Sequence, residues 1–146
     1  MEQGVNQQRQ RGFTLLEMMV VIVILGILAS LVIPSLMGNK DRADRQKAIS
    51  DIVTLENALD MYRLDNSRYP SSEQGLKALV SKPALPPVPQ NYRSDGYIRR
   101  LPQDPWGNDY QLVSPGKQSS VDIFSAGADG VAGTEDDITN WQTEID

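Results

Sequence analysis

Apolar residues crowd into one stretch near the start of the chain and thin out afterwards. From Phe13 to Ile33, about 21 residues run with a single charge, Glu17. As a helix rising about 1.5 Å per residue, that stretch covers about 30 Å, the thickness of a bilayer core. The residues before it, Met1 to Gly12, are polar and carry Arg9 and Arg11. Basic residues on that flank place the N-terminus in the cytoplasm. Beyond the run, Pro34 and Gly38-Asn39 weaken a helix. A helical period then resumes. Ala48, Ile52, Leu55, Leu59 and Tyr62 recur at alternating spacings of four and three, with Ile49 and Val53 beside them. This is an amphipathic stripe that packs on a core. Asp41, Arg42, Asp44, Arg45, Lys47 and Asp51 supply its wet face. The two patterns predict one long helix from about Phe13 to Asn66, weakest around Pro34 to Gly38.

The period changes after Arg68-Tyr69-Pro70. Ser71 and Gln74 have the spacing of a capping box, which predicts a short second helix through Gly75–Val80. Pro83, Pro86, Pro87 and Pro89 stiffen the next loop. Asp104-Pro105-Trp106-Gly107 reads as a turn with a large aromatic over the core edge. Alternation in Asp109–Val113 (Tyr110, Leu112) and in Val121–Ser125 (Val121, Ile123) predicts two strands, with a turn beginning at Ser114-Pro115-Gly116-Lys117. The fold class is α+β: a long N-terminal helix packed on a small antiparallel β-sheet. No internal repeat is present.

Composition narrows the chemistry. The 146 residues include no cysteine and no histidine. That excludes a stabilising disulfide, Cys or His nucleophile–base pairs, and zinc sites built on those residues. Oxygen-ligand cations such as calcium stay open. The formal net charge of −5 argues against nucleic acid as a partner, because phosphate binding needs clustered Lys and Arg.

Glu17 is the odd residue in the apolar run. An acid at the centre of a membrane helix costs about 2.5–3.5 kcal/mol on insertion scales, and less near an end. Either it snorkels to the interface or it pairs with a positive charge, such as a free amino group created by cutting before Phe13. A secretory signal peptide or a plain anchor fits the hydropathy, but neither accounts for this carboxylate.

Arg11-Gly12-Phe13-Thr14-Leu15-Leu16-Glu17 resembles the processing signal of type IV pilins and pseudopilins. The resemblance implies that a prepilin peptidase cuts between Gly12 and Phe13 and methylates the new N-terminus. It also implies that Glu17 serves assembly. Further along, Tyr69-Pro70, Glu73-Gln74-Gly75-Leu76, Gly96-Tyr97, Leu101-Pro102-Gln103-Asp104-Pro105-Trp106-Gly107 and Pro115-Gly116 resemble the major pseudopilins of type II secretion, the general secretion pathway protein G family. The segments implied are a cleaved leader over 1–12, a membrane and filament-core helix over 13–33, and a periplasmic domain over 34–146. Glu56 lies close to the apolar stripe, and Arg99 or Arg100 offers it a cation within or between subunits.

The loop Ala126 to Ile138 is rich in glycine and acids. Asp129, Glu135, Asp136 and Asp137 repel one another unless solvated or bound to a cation, and the spacing is not that of an EF-hand. By resemblance the loop holds one structural calcium ion. Asp129, Asp136 and Asp137 match its acidic positions, the carbonyls of Ala126 and Val131 are further ligands, and Thr134 sits where another oxygen could join.

The resemblance implies a non-enzymatic subunit that polymerises with itself into a periplasmic pseudopilus and drives folded exoproteins across the outer membrane. Its partners are then minor pseudopilins, the prepilin peptidase and the inner-membrane assembly platform. A type IV pilin, a membrane-anchored enzyme with two carboxylates on a pocket, and a minor pseudopilin are the competing readings.

Overall fold

The structure, a computed structural model, describes residues 12–142, and for residues 32–37 it describes the backbone alone. Arg9, Arg11 and the rest of the leader before Gly12 lie outside the described residues, as does the Pro34 side chain. The chain falls into two units, Met1–Lys40 and Asp41–Asp146. Helix α1 is assigned from Leu15 to Asn66, 52 residues, and the assignment runs unbroken past Pro34 and Gly38. The helix therefore starts two residues later than the sequence suggests, and the weakness expected at Pro34 to Gly38 does not interrupt it.

The first turn of α1 is capped. The Thr14 hydroxyl accepts a hydrogen bond from Glu17 N at 3.2 Å, and the Thr14 carbonyl accepts one from Met18 N at 3.2 Å. This is how a threonine satisfies the orphan N–H groups of a helix start. In the first unit every described large apolar side chain is exposed, from Phe13 (74%) to Leu31 (71%).

In the second unit the predicted stripe is the core. Ala48, Ile52, Leu55, Leu59 and Tyr62 are buried on one face of α1, joined by Ala58. Burying each Leu or Ile there contributes about 1.5–3 kcal/mol. Val53 departs from the expectation. It lies 45% exposed, because its position turns off the buried face. Asp51 also departs from the wet face, since Lys47 Nζ at 2.6 Å and the Tyr110 hydroxyl at 2.9 Å donate to the same carboxylate oxygen.

α1 stops at Ser67, which takes a left-handed φ of 61° and donates its N–H to the Arg63 carbonyl at 2.7 Å. A serine in that conformation ends the helical ladder as a glycine does elsewhere. The capping-box bonds form as expected: Ser71 N to Gln74 Oε1 at 3.0 Å, and Gln74 N to Ser71 Oγ at 3.2 Å. They close a turn, however. The helix that follows is a single 3-10 turn over Leu76–Leu79, preceded by Gly75 with no side-chain cap. Gln74 is buried because its amide holds the proline loop, donating to the carbonyls of Leu85 (2.7 Å) and Pro87 (3.1 Å).

The sheet has three antiparallel strands in the order β1-β2-β3: β1 Gln111–Val113, β2 Asp122–Ser125 and β3 Ile138–Thr139. Leu112 pairs with Ile123, and Ser125 pairs with Ile138. Both predicted strands are present but shorter at their N-terminal ends, and β3 is an addition. Leu112, Ile123 and Ile138 join the α1 stripe in one core, with Trp106 packed at its edge. The β1–β2 turn is built on buried Asp122, whose carboxylate accepts from the N–H groups of Lys117 (2.6 Å), Gln118 (3.1 Å) and Ser119 (2.9 Å). Burial works to raise its pKa, but these donors outweigh it and hold the group below the usual carboxylate range.

Candidate functional site

The described molecule carries three candidate sites, one at each end of the chain and one on the outer face of α1. At the N-terminal end, Gly12 precedes the helix and Phe13 is 74% exposed. Among the described residues, a Cβ built on Gly12 would meet nothing within 4 Å. The packing of the described residues therefore does not demand glycine there. Glu17 is exposed in the first turn, where the helix dipole favours an acid. Its spacing from Thr14 is that of a capping box, a helix-start role that the sequence reading passed over.

The second site is a groove of about 280 Å³ that includes Glu56, Asp60, Tyr69, Ser119 and Asn140 in its lining. Glu56 does not pair with Arg99 or Arg100 within the described chain. It accepts instead from Asn140 Nδ2 at 2.8 Å. Asp60 accepts from the Tyr69 hydroxyl at 2.7 Å. Asn140 is tied to β2 as well: its side-chain oxygen accepts from Ile123 N at 2.9 Å, and its own N–H reaches the Ile123 carbonyl at 3.0 Å. Nothing in the apolar pattern marks Asn140, so sequence reasoning missed it. Arg99 is exposed and forms no ion pair among the described residues. Two carboxylates thus line one groove, as an acid–base enzyme would require, but neutral donors already engage both.

The third site is the loop between β2 and β3. Thr134 is its centre. The Thr134 hydroxyl lies 3.0 Å from the Val131 carbonyl, 2.5 Å from Asp136 Oδ1 and 3.5 Å from Asp137 Oδ1. One hydroxyl proton serves one of those three acceptors. The three oxygens crowd that one hydroxyl, and each carboxylate takes a backbone N–H on its other oxygen, Asp136 from Asp129 and Asp137 from Gly133; a hard cation suits such a set of oxygens. Gly127 is cradled against the same carboxylate. It has φ of 65°, and a Cβ there would come within 2.5 Å of Asp136 Oδ2. Thr134, then the Asp129 N–H, hold the Asp136 carboxyl below the usual range, so it is ready to bind as the anion.

The five expected ligands are not all gathered. The Val131 carbonyl, Asp136 and Asp137 converge around Thr134. Asp129 reaches Asp136 through its backbone N–H (3.0 Å), while its own carboxylate accepts from Val131 N (2.8 Å). Asp137 also accepts from Gly133 N at 2.7 Å. Ala126 lies at the start of the loop, one residue beyond β2. Among the described residues, no three acidic side chains stand together as a metal cluster. The oxygens around Thr134 are the donor type calcium takes, and the Asp129 carboxylate is turned away from them, toward Val131 N.

Among the described residues no helix is long and apolar enough to cross a membrane. In the first unit the exposed apolar side chains that the structure describes on α1 run from Leu15 to Leu31. Leu15 to Leu31 corresponds to about 25 Å of helix, short of a bilayer core of about 30 Å.

Comparison with known proteins covers almost the whole sequence. Residues 35–141 match the family described as Type II secretion system (T2SS), protein G, and residues 7–33 match the prokaryotic N-terminal methylation motif. A type II secretion system core protein G of Pectobacterium carotovorum subsp. carotovorum is 72% identical, over 97% of this chain and 90% of the relative. The protein of that name from Escherichia coli K12 is 68% identical, over 91% and 92%. The one from Vibrio cholerae serotype O1 is 63% identical, over 95% and 97%. A crystal structure of the major pseudopilin from the type 2 secretion system of enterohaemorrhagic Escherichia coli superposes with a TM-score of 0.70. It is 73% identical and covers 73% of this chain and 89% of that one.

Proposed function

The chain belongs to the type II secretion system protein G family, and from that premise we propose that it is the major pseudopilin, the repeating subunit of a periplasmic pseudopilus. The observation that carries this reading is the apolar surface of the first unit. Its described large apolar side chains are all exposed, and a helix apolar on every side must be covered by something. Lipid covers it before assembly, and the same helices of neighbouring subunits cover it afterwards. The β-branched run Val20 to Ile24 disfavours a helix in water. A bilayer reverses that preference, because a helix there satisfies every backbone group internally.

Residues 13–33 form the inner-membrane segment in this reading, with the N-terminus cytoplasmic and the second unit periplasmic. Prepilin peptidase cuts between Gly12 and Phe13 and methylates Phe13. The subunit has a structural role and leaves chemistry to its partners, namely that peptidase, the inner-membrane assembly platform and the minor pseudopilins. Asp136, Asp137, the Val131 carbonyl and an inward-turned Asp129 hold one calcium ion, with the Ala126 carbonyl as a further ligand. Calcium supplies a fixed positive centre that clamps the β2–β3 loop where no disulfide is available.

Arg99 reaches Glu56 between subunits. Its guanidinium faces outward without an ionic partner among the described residues, while Glu56 lines an open groove. Truncating one member of a buried charged pair at an interface costs about 2–5 kcal/mol. Glu56→Arg or Arg99→Glu is expected to reduce filament yield at least tenfold, and the double exchange is expected to restore most of it. Filaments sheared from cells and quantified by immunoblot give the measurement. A double exchange no better than the single ones would sink the pairing.

A further inference from the structure

We propose that Asp104 and Ser125 are positioning residues for the calcium loop, acting through Gly127 on Asp136. This rests on the calcium reading above. Ser125 is the last residue of β2 and is fully buried; Asp104 is 4% exposed. The Ser125 hydroxyl donates to Asp104 Oδ2 at 2.6 Å and accepts from Gly127 N at 3.1 Å. Its one proton is therefore committed to Asp104, which leaves its lone pairs to the Gly127 N–H. The other Asp104 oxygen accepts from Trp106 N (3.0 Å) and Asn108 N (2.8 Å), and Asp104 N donates to the Asn108 carbonyl at 2.9 Å.

That closed turn sits beside the loop. A Cβ on Gly130 would touch the Asn108 amide at 3.8 and 3.9 Å. Gly127 in turn lies so close to Asp136 that a methyl group there would overlap both its carbonyl and its carboxylate. A chain of contacts thus runs from buried Asp104 through buried Ser125 and Gly127 out to the half-buried Asp136 at the Thr134 centre. Neither Asp104 nor Ser125 is among the oxygens that converge on Thr134, so they orient the loop and do not ligate the ion.

Two substitutions separate this role from general stability. Ser125→Ala deletes both bonds. Asp104→Asn keeps an oxygen for Trp106 N and Asn108 N but presents an N–H group to Ser125, which reverses the polarity of that link. Ser72→Ala is the control. Its hydroxyl bridges Ser114, donating to the carbonyl (3.1 Å) and accepting from the N–H (2.8 Å), on a separate turn.

The experiment titrates calcium chloride into the full chain in detergent after chelation, by calorimetry, with melting curves recorded without calcium. The wild type is expected to bind one equivalent. The calcium Kd is expected to rise about tenfold or more in Ser125→Ala and in Asp104→Asn, matching the loss of about one buried hydrogen bond. Ser72→Ala is expected to lower the melting temperature and leave the Kd unchanged. If Ser125→Ala does not fold without calcium, Asp104→Asn carries the test alone. Wild-type binding with unchanged Kd in the variants overturns this inference only. A wild type that binds no calcium overturns the calcium reading, and this inference with it.

Discussion

Removing calcium from the full chain is expected to lower the melting temperature of its second unit by on the order of 10 °C, and Asp136→Ala or Asp137→Ala is expected to erase that response. An ion that binds only the folded state at about a thousand times its Kd stabilises by about 4 kcal/mol. For a unit of this size each kcal/mol is worth about 4 °C or more. The oxygens around Thr134 explain why the effect is large. Without an ion, one oxygen of each carboxylate and a carbonyl crowd a single hydroxyl, while each carboxylate's other oxygen takes one backbone N–H. Aspartate-to-alanine changes also relieve that crowding, so the variants are expected to melt near the calcium-free wild type and not far below it. Trp106 at the core edge, and Trp141 edge-on to Phe124, are built-in fluorescence reporters. A wild-type melting curve that chelator leaves in place would contradict the calcium site.

Glu17→Ala is expected to abolish filament assembly while leaving processing and membrane insertion intact. The carboxylate, in this account, meets the positive N-terminus of a neighbouring subunit in the membrane. Two opposite charges about 4 Å apart gain about 4 kcal/mol at an effective dielectric constant of about 20, close to a thousandfold in association. The place of Glu17 in the first turn, three residues after Thr14, supplies a rival that needs no neighbour, because a Glu side chain at that spacing completes a capping box. Glu17→Gln decides between them. Glutamine keeps the capping-box geometry and loses the charge. If the charge pair matters, Glu17→Gln fails as completely as Glu17→Ala. Filaments at wild-type yield from Glu17→Gln would reassign Glu17 to capping. The processed band on an immunoblot confirms that each variant reached the membrane and was cut.

The parts of the fold that were legible in the sequence are those written in apolar periodicity. The stripe from Ala48 to Tyr62, the inward alternation of Tyr110, Leu112, Val121 and Ile123, and the turn at Asp104 to Gly107 all follow from spacing. Polar residues that organise the interior left no such trace. Asp104, Asp122 and Gln74 are buried because each collects backbone donors or acceptors from a loop, and a pattern that counts apolar positions passes over them. β3 escaped for a related reason. Two residues, Ile138 and Thr139, are too few to show alternation, and they follow directly on an acidic loop. Ser71 and Gln74 show the opposite case: the side-chain bonds were readable, but the element they serve is a turn. At the cation loop the acids stood out in the sequence. That Thr134 stands at the meeting point, and that Asp129 turns aside to Val131 N, depend on the loop's path through Gly127, Gly130 and Gly133, all with positive φ.

The central claim, that this chain is the subunit of a secretion filament, is tested most directly in a strain lacking its gene. The measurement is exoprotein activity in the culture supernatant against that in the periplasm, with the deletion complemented by wild type or by Glu17→Ala. The account predicts that exoproteins stay in the periplasm without the gene, that wild type restores their release, and that Glu17→Ala does not. Normal release from the deletion strain would contradict it.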